Sequence, residues 1–246
     1  MKVSVITIVK NDPAGLQKTV QSVSSQKYRN IEHIIVDGGS ERETVELIKN
    51  LSGNFIFLPG PDSGMYDGMN RGVMSAKGEI VSLLHAGDVF SNDYVVARIV
   101  NSFVSSGADA VYGDTEFYDK KSGKISRVWK AGVYEKKNLQ NQWWIPPHLS
   151  LFVKRSVYEK NGYYSLDLSF ASDHEWMLRL FLDDSAKIIY LPETLVRMRS
   201  GGQNTSSIKN FLHSNLCLIK VLKMHGLSPG ITGFVRKMLR KIKQFS

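Results

Sequence analysis

What most constrains this chain is a rhythm in its first 108 residues. Short β-branched runs alternate with segments of helical spacing, and each run hands a polar group to its own end. VSVITIV (3–9) is followed by Asn11 and Asp12. IEHIIVD ends on Asp37 and two glycines, FIFLPG leads to Asp62, and EIVSLLHAGD ends on Asp88. Between them, Leu16, Val20 and Val23 recur at three- and four-residue steps. SERETVELIKNL reads as a helix with Ser40 as N-cap and Glu43 completing a capping box, and MYDGMNRGVMSAKG as a helix closed by Gly78. Strands alternating with helices at this spacing predict βαβ units and an α/β fold with a mostly parallel sheet. Ligands of such sheets bind beyond the carboxyl ends of the strands, where all four polar groups are expected.

Asp88 is the least ordinary of these. In LLHAGDVF an apolar run ends on a histidine, two small residues and one carboxylate. A turn accounts for Gly87 and Asp88 locally, but four strands supplying polar groups to one edge exceed what turns require. No GxGxxG follows the first strand and no GxxxxGK[ST] occurs. A nucleotide on this sheet must therefore be held by carboxylates and backbone, with a metal or basic groups at its phosphates.

Beyond residue 108 the pattern changes. ADAVYGDTEFY reads as a strand with Asp114 after it, and KISRVWK as a second, polar strand. Two Trp and two Pro precede His148 and the strand LSLFV. SFASDHEWMLRLFL opens a helix with Ser172 or Asp173 as N-cap and Trp176, Leu178, Leu180 and Phe181 in or near the core. IIYLPETLVRMR is a strand pair or one extended segment, GGQNTSS (201–207) a flexible polar loop, and the residues from 208 on are helical.

Length bounds the organisation: 246 residues fit one α/β domain with an appendage, or two small domains. A single cysteine, Cys217, excludes an internal disulfide framework and a Cys-based zinc site, and fits a reducing compartment. MKVSVITIVKND does not read as a signal peptide, and no run approaches the roughly 20 apolar residues of a spanning helix. The net charge of +9 is local. No acidic residue follows Glu193, whereas the last 53 residues carry ten Lys or Arg; the first 193 are nearly neutral, with 22 basic against 23 acidic. In ITGFVRKMLRKIKQF the apolar Ile231, Phe234, Val235, Met238, Leu239, Ile242 and Phe245 recur at helical steps, with Arg236, Lys237, Arg240, Lys241 and Lys243 filling much of the rest. Such a helix packs on a domain or lies on an anionic membrane surface. The absence of acids favours the membrane, through residues 231–246. Nucleic acid is not expected as a partner, because no aromatic platform or reader motif accompanies the charge.

VSVITIVKND, IIVDGGSERET, PDSGMYDGMNRGV, AKGEIVSLLHAGDVF, HLSLFVKR and SDHEWMLRL resemble, in order and spacing, the motifs of family-2 glycosyltransferases with the GT-A fold. VDGGS with PDxGxYDxMNxG is most similar to the branch that builds bacterial surface polysaccharides of the colanic-acid and O-antigen kind. The resemblance covers roughly residues 1–205. It implies a nucleotide-sugar-binding half (1–108), an acceptor and catalytic half (109–205) and, here, a basic helical extension (206–246). It implies inverting transfer of a hexosyl type from a nucleotide sugar, here read as a UDP-sugar, to a lipid-linked saccharide at the cytoplasmic face of the plasma membrane, with Mn²⁺ or Mg²⁺ as cofactor.

By the same resemblance, Asp88 holds the cation, although Ala86 and Gly87 stand where an acidic partner is usual. Asp37 contacts the base or ribose, Asp62 is a base-side contact, and Thr7 and Val9 line the base pocket through backbone groups, beside Asn11. Arg71 faces a phosphate or solvent, and Tyr66, Asp67 and Asn70 share one helix face. Asp173 is the general base, with Arg179 in the motif's Arg place and Glu175 as rival. His148 lies near donor phosphates and acceptor. Trp143 and Trp144 stack on sugars or anchor a loop, His85 meets the ribose or is structural, and residues 201–207 close over the diphosphate. Two other classes share parts of this pattern: a nucleotidyltransferase, which would need a Gly-rich, basic loop that KNDPAG supplies poorly, and a non-catalytic nucleotide-binding module, which would not need Asp173.

Overall fold

The computed structural model describes residues 1–168, 170–201 and 208–245, with side chains not described for 208–212. β1 (Val3–Val9) is buried along its whole length, and its sequence, rich in Val and Ile, suits a strand covered on both faces. It pairs in parallel with β2 (Ile31–Asp37) on one side and β4 (Ile80–Leu83) on the other, and β2 pairs in parallel with β3 (Phe55–Leu58). The crossovers run through α1 (Pro13–Ser24), α2 (Arg42–Asn50) and α3 (Met65–Ser75). Strand order is therefore 3-2-1-4 in this half. The order reverses between β1 and β4, and such a switch point opens a crevice at the carboxyl ends of those two strands.

The second half extends the same sheet antiparallel. β8 (Leu151–Lys154) pairs with β4, and β6 (Ala110–Tyr118) pairs with β8. β9 (Ile188–Arg199) runs parallel to β6, β5 (Val89–Phe90) pairs with β9, and β7 (Ile125–Trp129) pairs with β6. Helices α4 (Val95–Ser106), α5 (Lys136–Asn141), α6 (Arg155–Asn161) and α7 (Ser172–Leu182) complete this half. The result is the expected α/β fold of the GT-A kind, with two helices after it: α8 (Ile208–Met224) and α9 (Ile231–Ile242).

Several local expectations are corrected. α2 starts at Arg42 with Glu41 as N-cap and no side-chain cap; the Ser40 hydroxyl instead accepts the N–H of Asn11. α3 ends at Ser75, and Gly78 lies beyond it, its N–H donating to Ser4 Oγ at 2.8 Å. Asp114 lies inside β6, accepting from Ala131 N and the Tyr190 hydroxyl, both at 2.8 Å. Neither Ser172 nor Asp173 caps α7: both are within it, behind Ala171. The segment 188–199 is one long strand. Trp176, Leu178, Leu180 and Phe181 are buried as expected.

The basic extension is docked, not free. Leu218, Val221 and Leu222 of α8 are buried. α9 packs on the residues around α5: a β-carbon at Gly233 would come within 2.7 Å of Trp143 Nε1, and Phe234 meets the Trp143 ring at 5.6 Å. Lys237 donates to Asn215 at 2.8 Å, and burial pulls its ammonium pKa down to about 8. The opposite face of α9 stays bare: Ile231, Val235, Leu239 and Ile242 are exposed at steps of four, four and three. No helix among the described residues is long and apolar enough to cross a membrane.

Candidate active site

The switch point collects most of the residues expected there. Asn11, just past β1, has the left-handed backbone (φ 52°) that Asn tolerates better than most residues. Its Oδ1 accepts Glu41 N at 2.7 Å. Asp37, at the end of β2, is buried and accepts from Gly39 N and Ser40 N at 3.1–3.2 Å. The loops after β1 and β2 are thus one hydrogen-bonded unit. Asp62 comes over from the loop after β3 and lies against Gly38, where a β-carbon would meet its Oδ2 at 2.6 Å. Asp37 and Asp62 therefore share one corner of the sheet edge.

Three further residues expected around the pocket have protein partners of their own. Thr7 is wholly buried and its Oγ1 is 2.8 Å from His33 Nε2, which leaves its backbone as the part that can face a ligand. Val9 is buried, and its carbonyl accepts the N–H of Gly38. Arg71 donates to the carbonyls of Gly60 and Pro59 at 2.9 and 2.7 Å and so braces the loop carrying Asp62.

The turn after β4 is built for closeness. Gly87 has φ +95°, and a β-carbon there would strike the Arg199 guanidinium at 2.7 Å. The Thr19 hydroxyl accepts Gly87 N at 3.0 Å and donates to the Asp88 carbonyl at 2.8 Å, fixing the turn on α1. Asp88 is 6% exposed, and its Oδ1 accepts Arg199 N at 2.7 Å. Burial pushes its carboxyl up to about 7. The Arg199 side chain pairs with Asp12 at 2.5 Å. Burial raises Asp12, and the guanidinium more than offsets this, holding it below its ordinary value. No cluster of three or more His, Cys, Asp or Glu that could hold a metal ion occurs among the described residues. One hard-oxygen carboxylate fits a Mg²⁺- or Mn²⁺-type ion that takes its other ligands from phosphates. Asp88 is the one carboxylate this turn offers.

Two imidazoles connect this turn with the second half of the chain. His85, three residues before Asp88, has its ring 5.7 Å from that of His148, which opens a short 3-10 turn after Pro147. His148 Nδ1 is 3.7 Å from Asp173 Oδ2. Burial lowers both histidines, His85 to about 3, so both are neutral at physiological pH. Neither His85 ring nitrogen has a hydrogen-bond partner among the described residues.

Asp173 is in the first turn of α7, where the helix dipole favours an anion. Its Oδ1 accepts the Tyr66 hydroxyl at 3.0 Å and lies 3.4 Å from His174 Nδ1. Burial pushes this carboxyl up, but the His174 and His148 rings and the Tyr66 hydroxyl outweigh it and hold it well below the carboxylate range. It is an anion at neutral pH. The rival Glu175 is committed elsewhere, bridging Arg179 at 2.9 Å and His225 at 3.1 Å. That bridge ties α7 to the residue after α8.

Trp143 and Trp144 are buried anchors, not a sugar platform. Trp144 Nε1 donates to Ala131 O at 2.8 Å, and its ring packs against Tyr134, Tyr112 and Phe181. Asp67 caps the start of its own helix by accepting Ser63 N at 2.9 Å. Asn70 clamps the backbone of Tyr164 from both sides, at 2.8 and 2.9 Å. Of the 201–207 loop, residues 202–207 lie outside the described residues. Sequence reasoning missed the Asp12–Arg199 pair and the Tyr66–Asp173 bond. The helix-face grouping of Tyr66 with Asn70 was a signal for the second; no local signal marked the first.

Comparison with known proteins follows the same lines. The family profile described as Glycosyl transferase family 2 matches residues 4–184. An uncharacterized glycosyltransferase of Mycobacterium tuberculosis is 37% identical over 183 residues, 73% of this chain and 69% of that one. A PGL/p-HBAD biosynthesis glycosyltransferase of Mycobacterium bovis is 28% identical over 223 residues, 85% and 82% of the two chains. Among solved structures, S. aureus TarS 1-349 in complex with UDP-GlcNAc superposes with a TM-score of 0.67 at 15% identity, over 99% of this chain and 73% of that one. The mannosyltransferase PcManGT from Pyrobaculum calidifontis, in complex with GDP-Man and Mn²⁺, has a TM-score of 0.67 at 15% identity, over 97% and 68%.

Proposed function

Because the chain belongs to glycosyl transferase family 2, we propose that it moves a hexosyl unit from a UDP-sugar to a lipid-linked saccharide, with inversion, in bacterial surface-polysaccharide synthesis of the colanic-acid or O-antigen kind. The observation that carries this reading is a buried carboxylate anion, Asp173, linked through His148 and His85 to the turn that carries Asp88. In the proposed reaction the acceptor hydroxyl gives its proton to Asp173. Its oxygen bonds to the anomeric carbon of the donor as the bond from that carbon to the diphosphate oxygen breaks, and the nucleotide leaves with the electron pair. Asp88 would hold a divalent cation, which would supply charge neutralisation at the departing diphosphate. Asp37 and Asp62 take the base side, where a carboxylate accepts the ring N–H of uracil.

A thermal-shift screen of nucleotide sugars with Mn²⁺ tests the donor. At a hundredfold excess over Kd the stabilisation is about 2.7 kcal/mol, a Tm rise on the order of 5–10 °C for a chain of this size. UDP-sugars are expected to give it; a rise with GDP-sugars alone overturns the choice of base.

The membrane reading takes support from the bare stripe of α9, and it places the protein peripherally on the inner face of the plasma membrane. The docked face has withdrawn Lys237, so fewer than the five basic residues first counted can reach lipid headgroups. Each that does is worth about 1 kcal/mol. Full-length protein is expected to bind anionic liposomes in a salt-sensitive way, and truncation after Pro229 to abolish this. Val235→Glu with Leu239→Glu, which alters only exposed positions, should abolish it without unfolding the chain. Equal liposome binding by all three proteins removes the membrane from the reading.

A further inference from the structure

Tyr66 is buried, 7% exposed, and its hydroxyl reaches across from α3 to Asp173 on α7. Its ring stacks on Tyr164 at 6.2 Å, and one turn further along α3 Asn70 grips the Tyr164 backbone at two points. Two side chains of one helix face thus fasten the donor-side half of the molecule to the segment leading into the base helix. The loop that begins α3 carries Asp62, braced by Arg71 from the same helix. One rigid element runs from the donor corner to the proposed base.

We propose that Tyr66 is the positioning residue of the reaction: it fixes the Asp173 carboxylate by donating to Oδ1, and so leaves Oδ2 as the oxygen that takes the acceptor's proton. This rests on the reading of Asp173 as the base. The direction of the hydrogen bond is set by chemistry. Burial, with the Asp173 anion beside it, raises the Tyr66 hydroxyl far above neutrality, so it remains a donor throughout the working range. The two carboxylate oxygens are therefore unequal. Oδ1 receives Tyr66 at 3.0 Å, with His174 Nδ1 at 3.4 Å. Oδ2 lies 3.7 Å from His148 Nδ1, beyond hydrogen-bond reach. A carboxylate held at one oxygen cannot swing, so its other oxygen keeps a fixed aim. Effective positioning of this kind is lost with shifts of about 1 Å.

The remaining titratable groups around Asp173 are His148 on the 3-10 turn, His174 on α7, and His85 and Tyr164 behind them. Tyr164 donates to or accepts from Tyr158 at 3.0 Å, which makes its hydroxyl a useful control.

The test compares Tyr66→Phe, Tyr164→Phe and Asp173→Asn. The probe is nucleotide release, with water as acceptor, from the nucleotide sugar that gives the largest thermal shift. Tyr66→Phe keeps the stacked ring and deletes one oxygen. A hydrogen bond to a charged group is worth roughly ten- to a hundredfold, so kcat should fall by that factor with donor KM unchanged. Donation from Tyr66 favours the anion, so its loss moves the acid limb of the pH–kcat profile upward. Tyr164→Phe should leave both the limb and donor KM in place. Wild-type kcat and an unmoved acid limb in Tyr66→Phe would overturn the proposal. So would equal losses in the two Tyr→Phe variants that track a shared drop in Tm, because packing would then explain both. Full activity in Asp173→Asn removes the base assignment itself, whatever Tyr66→Phe does.

Discussion

Asp173→Asn is expected to lower kcat by about 10²–10⁴-fold, the usual share of a positioned general base, and to leave donor affinity unchanged. Asparagine preserves the shape of the side chain and still offers Oδ1 to the Tyr66 hydroxyl, so the fold should persist. What disappears is the anion. Because Asp173 is held well below the carboxylate range by His174, His148 and Tyr66 against the upward pull of burial, the wild-type enzyme should keep its base ionised well into acid. The activity loss in the variant should accordingly be the same at pH 6 and pH 8. Calorimetric titration with donor and steady-state nucleotide release separate the two effects. A variant that turns over normally would return the role to another group, and Glu175 is poorly placed for it, engaged as it is by Arg179 and His225.

Asp88→Asn should have two opposite consequences. Cation-assisted donor binding should be lost, since the turn has no second carboxylate to take over. The unliganded protein should become more stable above pH 7. Burial raises the Asp88 carboxyl from an ordinary 3.8 to about 7. Its folded pKa thus exceeds the unfolded one, so its contribution to stability is whole at low pH and is lost as pH rises from about 4 to about 7. At about 1.4 kcal/mol per unit, that loss is on the order of 4 kcal/mol. Asparagine is neutral throughout and keeps an acceptor for Arg199 N, so it avoids the loss. Denaturant unfolding at pH 4 and pH 8, without metal or donor, measures it: the variant should gain on the wild type between the two. A variant that loses stability at pH 8 while retaining Mn²⁺-dependent donor binding contradicts both halves of the argument.

The parallel half of the sheet was legible because β1, β2 and β4 are covered on both faces. Their sequences are then rich in Val and Ile, and the polar residues that follow stand out. The candidate carboxylates were readable for the same reason. What the side chains do with them was not. Sequence does not say that the Thr7 hydroxyl will meet His33, or that Arg71 will brace the loop through the Gly60 carbonyl. Caps were misjudged at Ser40 and Ser172 because loop-to-loop and burial demands outweigh the local preference for Ser at such positions. The Asp12–Arg199 pair joins the N-cap of α1 to the last residue of β9. No window along the sequence contains both. The two tryptophans illustrate the bland outcome: an indole pair before Pro-Pro suits a sugar face and a core equally, and here neighbours on β6, α7 and α9 claimed them.

The seat of α9 on Trp143 has a consequence for size. A helix held by Gly233 against an indole and by Lys237 against Asn215 stands at one height over the rest of the molecule, whereas a floppy tether would sample a spread of heights. For an enzyme resting on a bilayer by the outer side of such a helix, the gap between lipid headgroups and Asp173 becomes a constant of the fold. An acceptor whose reactive end falls short of that gap, or overshoots it, meets the base at low local concentration however good its chemistry. The docked helix would then act as a ruler, selecting glycan length by geometry in addition to any contact made with the sugar itself.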